Sequence, residues 1–110
     1  MANKYLRKYL SPSAATETTI YTVPAANTAL ISSLRVTNGN GSSTNLSVKV
    51  YPLGGATAYD ILKGYVLPVD ATMDVFSGVS CVLEATDVLK VTSSQANVDF
   101  YLSYLEVDRN

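Results

Sequence analysis

Residues 18–37 read TTIYTVPAANTALISSLRVT, and the fold class follows from how this stretch is taken. Its first six residues hold Ile20, Tyr21 and Val23 among threonines, β-branched and aromatic types that pack well on a pleated, half-buried surface. Pro24, with its fixed φ and no N–H to donate, predicts a corner. Beyond it, residues 29–37 alternate with period two, Leu30, Ser32, Leu34 and Val36 against Ala29, Ile31, Ser33 and Arg35. The first set is expected to face the core, with Ser32 as its one polar exception. A strand over 18–23, a corner at Pro24 and a long strand over 29–37 put the chain in the β class.

Downstream the same grammar continues. The run Asn38-Gly39-Asn40-Gly41-Ser42-Ser43 holds two Asn-Gly dipeptides, which tolerate positive φ and predict a hairpin turn. It lacks the lysine of a phosphate cradle and the carboxylates of a calcium loop. Residues 46–51 alternate, with Leu46, Val48 and Val50 inward. A loop over 52–57 leads to a strand over 61–67 that Gly64 weakens. A turn at 68–71 and a strand over 72–76 come next, then a strand over 79–83 in which Val79, Cys81 and Leu83 share a face, placing Cys81 in the core. After a turn at 84–87, strands over 88–93 and 98–107 close the chain, and the shifted parity of Leu105 and Val107 predicts a β-bulge near Ser103–Tyr104. Seven or eight short strands with frequent turns and no helix in the body read as all-β: a single antiparallel β-sandwich, jelly-roll-like.

Upstream, residues 1–16 read as an arm and linker outside the sheet, and 17–110 as the sandwich domain. The i,i+4 pairs Tyr5/Tyr9 and Leu6/Leu10 predict one or two helical turns over 3–10 with an aromatic-aliphatic face. Ser11-Pro12-Ser13-Ala14-Ala15 then reads as a small-residue linker. Disordered tails are poor in Tyr and Leu, so the arm is expected to order against a neighbouring subunit through Tyr5, Leu6, Arg7, Lys8, Tyr9 and Leu10.

Composition excludes several functions. The 110 residues carry a net charge of −1, but unevenly: the first ten hold three basic residues and no acid. No global field would draw the body to nucleic acid or to an anionic membrane, and no run approaches the ~20 apolar residues of a membrane-spanning helix. Histidine is absent, and a lone Cys81 allows neither an intrachain disulfide nor a cysteine-based zinc site. Nearly all of the nine acids sit in predicted turns or on predicted outward positions, and the spacing of Asp70 and Asp74 matches no calcium loop. No catalytic residue, cofactor or metal is therefore expected. The first residues contain no hydrophobic signal core, which predicts a protein made and used in the cytosol. Eight tyrosines against two phenylalanines and no tryptophan suit contact with protein or carbohydrate.

The segments IYTVPA (20–25), VTN (36–38), SVKVYPLGG (47–55), LPVDATMDV (67–75), GVSCVLEATDVLKVTS (78–93) and VDFYLSYLEV (98–107) occur in an order and spacing that resembles small virion structural proteins of tailed bacteriophages. The resemblance spans about residues 17–107 and omits the arm. It implies a β-sandwich that assembles on a particle and does no chemistry: a capsid decoration (cement) protein of the virion, assembled in the host cytoplasm. Its partners would be the major capsid protein or other virion proteins, and it would form a homo-oligomer on the particle. A tail, neck or fibre component is the alternative within the same particle. From another class, a carbohydrate-binding β-sandwich would use Tyr51, Tyr59 and Tyr65 as a sugar platform.

Overall fold

Four nested antiparallel pairings organise the chain. The computed structural model describes residues 3–77 and 80–108. In it, β1 (Asn3–Leu10) pairs with β9 (Val98–Asp108), β2 (Thr18–Thr22) with β8 (Val88–Ser93), and β4 (Thr44–Tyr51) with β5 (Tyr59–Leu67). The long strand β3 (Asn27–Asn38) pairs along one edge with both β6 (Thr72–Asp74) and β7 (Cys81–Leu83), which act as one interrupted strand. Two further pairings, β9 with β3 and β8 with β4, join these into sheet I, β1-β9-β3-β6/β7, and sheet II, β2-β8-β4-β5. The chain is thus one long hairpin, with β4–β5 at its tip, rolled so that its two layers face each other. That is the jelly roll, and the expected antiparallel β-sandwich is what forms. The predicted Val79 lies outside the described residues.

The inner faces make one core. Ala29, Ile31, Leu34 and Val36 of β3 and Val98, Phe100 and Leu102 of β9 meet Leu46 and Val48 of β4 and Leu89 and Val91 of β8, all fully buried. Each large side chain among them contributes about 1.5–3 kcal/mol by leaving water.

Several expectations need correction. Ile31 pairs with Tyr104 but Ser33 with Ser103, so Ser32 is an extra residue, a β-bulge in β3. The bulge shifts the face of everything before it. Ala29 and Ile31 are buried, whereas Leu30 is half-buried and Ser32 exposed, the reverse of the strict alternation. The predicted bulge near Ser103–Tyr104 thus sits across the ladder, on the partner strand. In β9 itself the alternation runs unbroken from Val98 to Tyr104, and Leu105 and Val107 simply belong to the outer face.

Residues 3–10 form no helical turn. Their i,i+4 pairs coincide with period-two alternation, and the strand wins because β9 supplies a ladder over all eight residues, whereas so short a helix is marginal alone. Nor is the Asn-Gly run a hairpin: β3 and β4 lie in different sheets. The chain crosses between layers here because Asn38 is fully buried and folds the crossing around its own amide. Its Nδ2 donates to the carbonyls of Ser42, Leu67 and Pro68 at 3.0–3.1 Å, and its Oδ1 accepts from Asn40 N–H at 2.9 Å. Gly39 is needed for close approach, since a Cβ there would stand 2.9 Å from the Asn97 carbonyl oxygen. The weakness attributed to Gly64 has a definite form: its φ of +64° lies where β5 carries one residue more than β4.

Asn38→Ala should therefore cost about 1–3 kcal/mol, the range for buried groups left without a partner. Urea unfolding measures it, and a loss below half a kilocalorie, by the same reasoning, would show that the amide is dispensable.

Candidate assembly surface

The strand β1 is the feature that the core does not explain. All but one of its described side chains, from Lys4 to Leu10, are exposed, with Tyr5 at 86% and Tyr9 at 68%. It forms one border of sheet I, paired on a single side, in unbroken register and with no proline inside it. It stays in place through its ladder, through Leu10 packing on the core, and through contacts at its C-terminal end. There the Tyr9 ring stacks on Tyr101 with centroids 6.2 Å apart, the Arg7 guanidinium lies 5.6 Å from the Tyr9 centroid, and the Ser11 hydroxyl donates to the Asp99 carboxylate.

The residues predicted as the arm contact divide between two faces of this strand. Tyr5, Arg7 and Tyr9 stand opposite Leu105, Ser103 and Tyr101 on the outer face of sheet I. Leu6, Lys8 and Leu10 stand opposite Tyr104, Leu102 and Phe100 on the side of the core. The outer face also holds a row that alternation alone conceals. Tyr5 pairs with Leu105, Leu105 with Leu30, and Leu30 with Val82, an apolar line crossing all four strands, with Val82 63% exposed at the far edge. Leu30 was expected in the core, and the bulge at Ser32 turns it out. The signal was present as the single serine in an otherwise apolar set.

Among the described residues, no two rings of the sugar platform stack on each other. The Tyr51 ring lies under Lys90 Nζ at 4.5 Å, and its hydroxyl donates to Glu17 at 2.8 Å. That bond to Glu17 holds its proton above the ordinary tyrosine range. The ring pairs present among the described residues are Tyr9–Tyr101 and Tyr21–Tyr104. Cys81 is half-buried against the core rather than fully within it, and burial pushes its thiol up, away from the reactive thiolate.

Grooves flank β1, two of them on its β9 side and a third bounded by Thr19 and Ile20. On the β9 side, one is lined by Tyr5, Leu6, Arg7, Ser32, Ser103 and Tyr104, the other by Tyr9, Leu10, Ser11, Asp99, Phe100 and Tyr101. Neither lining contains the two carboxylates that glycoside hydrolysis uses. No group of three or more His, Cys, Asp or Glu among the described residues is placed to hold a metal ion. Behind the edge, Tyr21 donates to Glu106 at 2.6 Å, Asn27 donates to the same carboxylate at 3.3 Å, and Tyr21 packs on Tyr104 at 4.3 Å. What such an arrangement offers chemically is contact: aromatic faces, cations and a free strand edge.

No protein-family model matches the chain, and no curated protein matches it. Solved structures do share its fold. It is similar to a protein of the Bacillus endospore appendages, described as disulfide-linked pili (TM-score 0.59, 13% identity, 99% of this chain and 88% of that one). It is also similar to a chain of the T13 particle of infectious bursal disease virus (TM-score 0.59, 9% identity, 96% of this chain). A chain of the Gx strain of that virus matches as well (TM-score 0.55, 11% identity, 96% of this chain). The protein spans 31% and 33% of those two viral chains. At these identities the likeness is one of fold, a jelly roll found in a viral particle and in a pilus.

Burial first, then the bond to Glu106, holds the Tyr21 proton well above the usual range, and burial does the same more weakly for Tyr104. A raised folded-state pKa means that the unfolded chain loses its proton first. Stability is thus present in full below the ordinary tyrosine value of about 10 and falls as pH rises beyond it. The unfolding free energy should decline above that pH, and Tyr21→Phe should remove part of the slope. Parallel pH profiles for the two proteins would rule out this linkage.

Proposed function

We propose that this protein is a non-enzymatic structural component of a tailed-phage virion, and specifically a capsid decoration (cement) protein held on the head by protein–protein contacts. The observation that carries the reading is β1: an eight-residue border strand, basic and aromatic, presented to solvent by a jelly roll. Strand edges with free main-chain groups, backed by exposed tyrosines, are surfaces that bind other chains. The phage-like segments over 17–107 supply the particle, and a fold also found in a viral particle is consistent with it. A single small contact is weak, but many symmetry-related copies on one lattice make it firm. Location in the tail, neck or fibre is the second reading, favoured by the same segments.

Copy number separates the two. A decoration protein should co-sediment with tailless heads at on the order of hundreds of copies per particle, as the symmetry of a closed shell requires. A few copies, or recovery with tails alone, would overturn the capsid reading.

Removing residues 1–10 would uncover β9, so substitutions test the strand more cleanly. Tyr5→Ser combined with Lys4→Ser should weaken attachment at least about tenfold, as loss of an exposed aromatic anchor and a charge does, with little change in the unfolding midpoint, because both side chains are exposed. Undiminished attachment of that variant would show that β1 is not the contact.

A further inference from the structure

Sheet I ends in two edges of opposite charge. Along β1 stand Lys4, Arg7 and Lys8, and the first sixteen residues contain no Asp or Glu. At the other border, β6 ends in Asp74, Asp70 and Glu84 flank β6 and β7, and no Lys or Arg occurs between Lys63 and Lys90. Asp70 and Glu84 are exposed. Asp74 is partly engaged, accepting the N–H groups of Leu34 and Phe76. Arg35 stands opposite Asp74 on β3, leaving the border acidic overall. The ion pair found among the described residues is Lys49–Asp60, in sheet II, so neither border is neutralised within its own chain.

We propose that the β1 edge of one copy adds to the β6/β7 edge of a second copy, continuing sheet I head to tail from subunit to subunit. The proposal concerns the free protein and stands whether or not the protein decorates a capsid. Strand direction permits the pairing. β1 is antiparallel to β9, β9 to β3, and β3 to β6 and β7, so the two borders run in opposite senses and meet as an antiparallel pair.

The rows of the sheet supply a register. Tyr5 and Val82 are the two ends of one apolar row, and in a continued sheet Tyr5 of the second copy falls beside Val82. Lys4 of that copy then falls in the row of Leu83, at the same end of the border as Glu84 but on the opposite face of the sheet, so the two attract only as exposed charges near one edge. Its Tyr9 falls in the row of Asp74, and Arg7, two residues along β1, stands on that same outer face as the diagonal partner of Asp74, whereas Lys8 lies on the other face. Opposite charges on neighbouring strands stabilise a pair, and like charges oppose it.

The other edges fit poorly. A two-fold contact of β1 with β1 would set three cations against three. The β5 border carries two register shifts, and β2 has only five residues with a shift of its own, features that normally guard an edge. Lysines on a strand edge usually serve as such guards too. Here they exclude a like edge while admitting the one acidic border of the same sheet. The resulting contact is heterologous, with different surfaces meeting.

Sedimentation velocity on the purified full-length chain tests this. At low salt and micromolar concentration the wild type should sediment as oligomers that dissociate as salt is raised, because the charges are exposed and screened. Lys4→Glu, Arg7→Glu and Lys8→Glu together should yield monomer, as should Asp70→Lys with Glu84→Lys. Combining all five reversals in one chain should restore the oligomer. In a Cys81→Ser background, a mixture of Tyr5→Cys and Val82→Cys chains should form disulfide-linked pairs on oxidation. A monomeric wild type, an oligomer insensitive to the β1 reversals, a five-fold variant that stays monomeric, or Tyr5→Cys chains that cross-link only to each other would each overturn the proposal. Circular dichroism of every variant should match the wild type, since all the reversed side chains are exposed.

Discussion

The side-chain amide of Asn38, fully buried at the end of β3, donates to three main-chain carbonyls and accepts one main-chain N–H. Its own backbone N–H donates to Ala71, and its carbonyl accepts from Asp70. One residue thus fastens three segments: the end of the strand, the 39–43 crossing and the turn from β5 to β6. A jelly roll demands such a fastening, because nearly all its connections pass from one sheet to the other and their backbone groups lose ladder partners at each passage. Buried main-chain groups without partners are costly. In this chain the cost is offset at one end of the sandwich by a polar side chain saturated with bonds.

The segment 18–37 was legible as two strands around Pro24, because β-branched residues and alternation leave little choice. Its place in the fold was not. Nothing in TTIYTVPAANTALISSLRVT states that β2 and β3 lie in opposite sheets, since a corner between layers and a hairpin use the same turn residues. The Asn-Gly run misled for that reason: its chemistry speaks of a turn, while the burial of Asn38 is a tertiary fact. The strand β1 was hidden by a coincidence of periods, for Tyr5, Leu6, Tyr9 and Leu10 satisfy i,i+4 spacing and strand alternation alike. Only the unsatisfied edge of β9, far along the chain, decides between them. Core membership could be read directly on β4 and on β9 as far as Leu102, where alternation is plain; past it, the bulge expected near Ser103–Tyr104 hid the burial of Tyr104.

The bulge at Ser32 connects the fold to the surface. Without it, β3 would send Leu30 inward and Ile31 outward, and the outer face would lose the centre of its apolar row. With it, both halves of the strand bury their larger residues, Ile31 before the bulge and Leu34 and Val36 after it. The displaced Leu30 joins Leu105 outside, between Tyr5 and Val82. A bulge is a means of re-aiming side chains, and here the side chains it re-aims form the centre of the apolar row.

Basic and aromatic residues on the edge of a sheet carry conflicting meanings. Cations keep strand edges apart, whereas exposed tyrosines and free main-chain groups draw chains together. Both can hold at once if attraction is selective. On β1 the cations repel any edge of like charge, and the Tyr5–Val82 row rewards the one alignment that continues it. Because each charge is exposed, each contributes little alone and is weakened by salt. The apolar row and the ladder therefore set the alignment of any contact along this edge, and the charges, weak singly but summed along two borders, decide which partner is allowed to use it and whether the contact outlasts added salt.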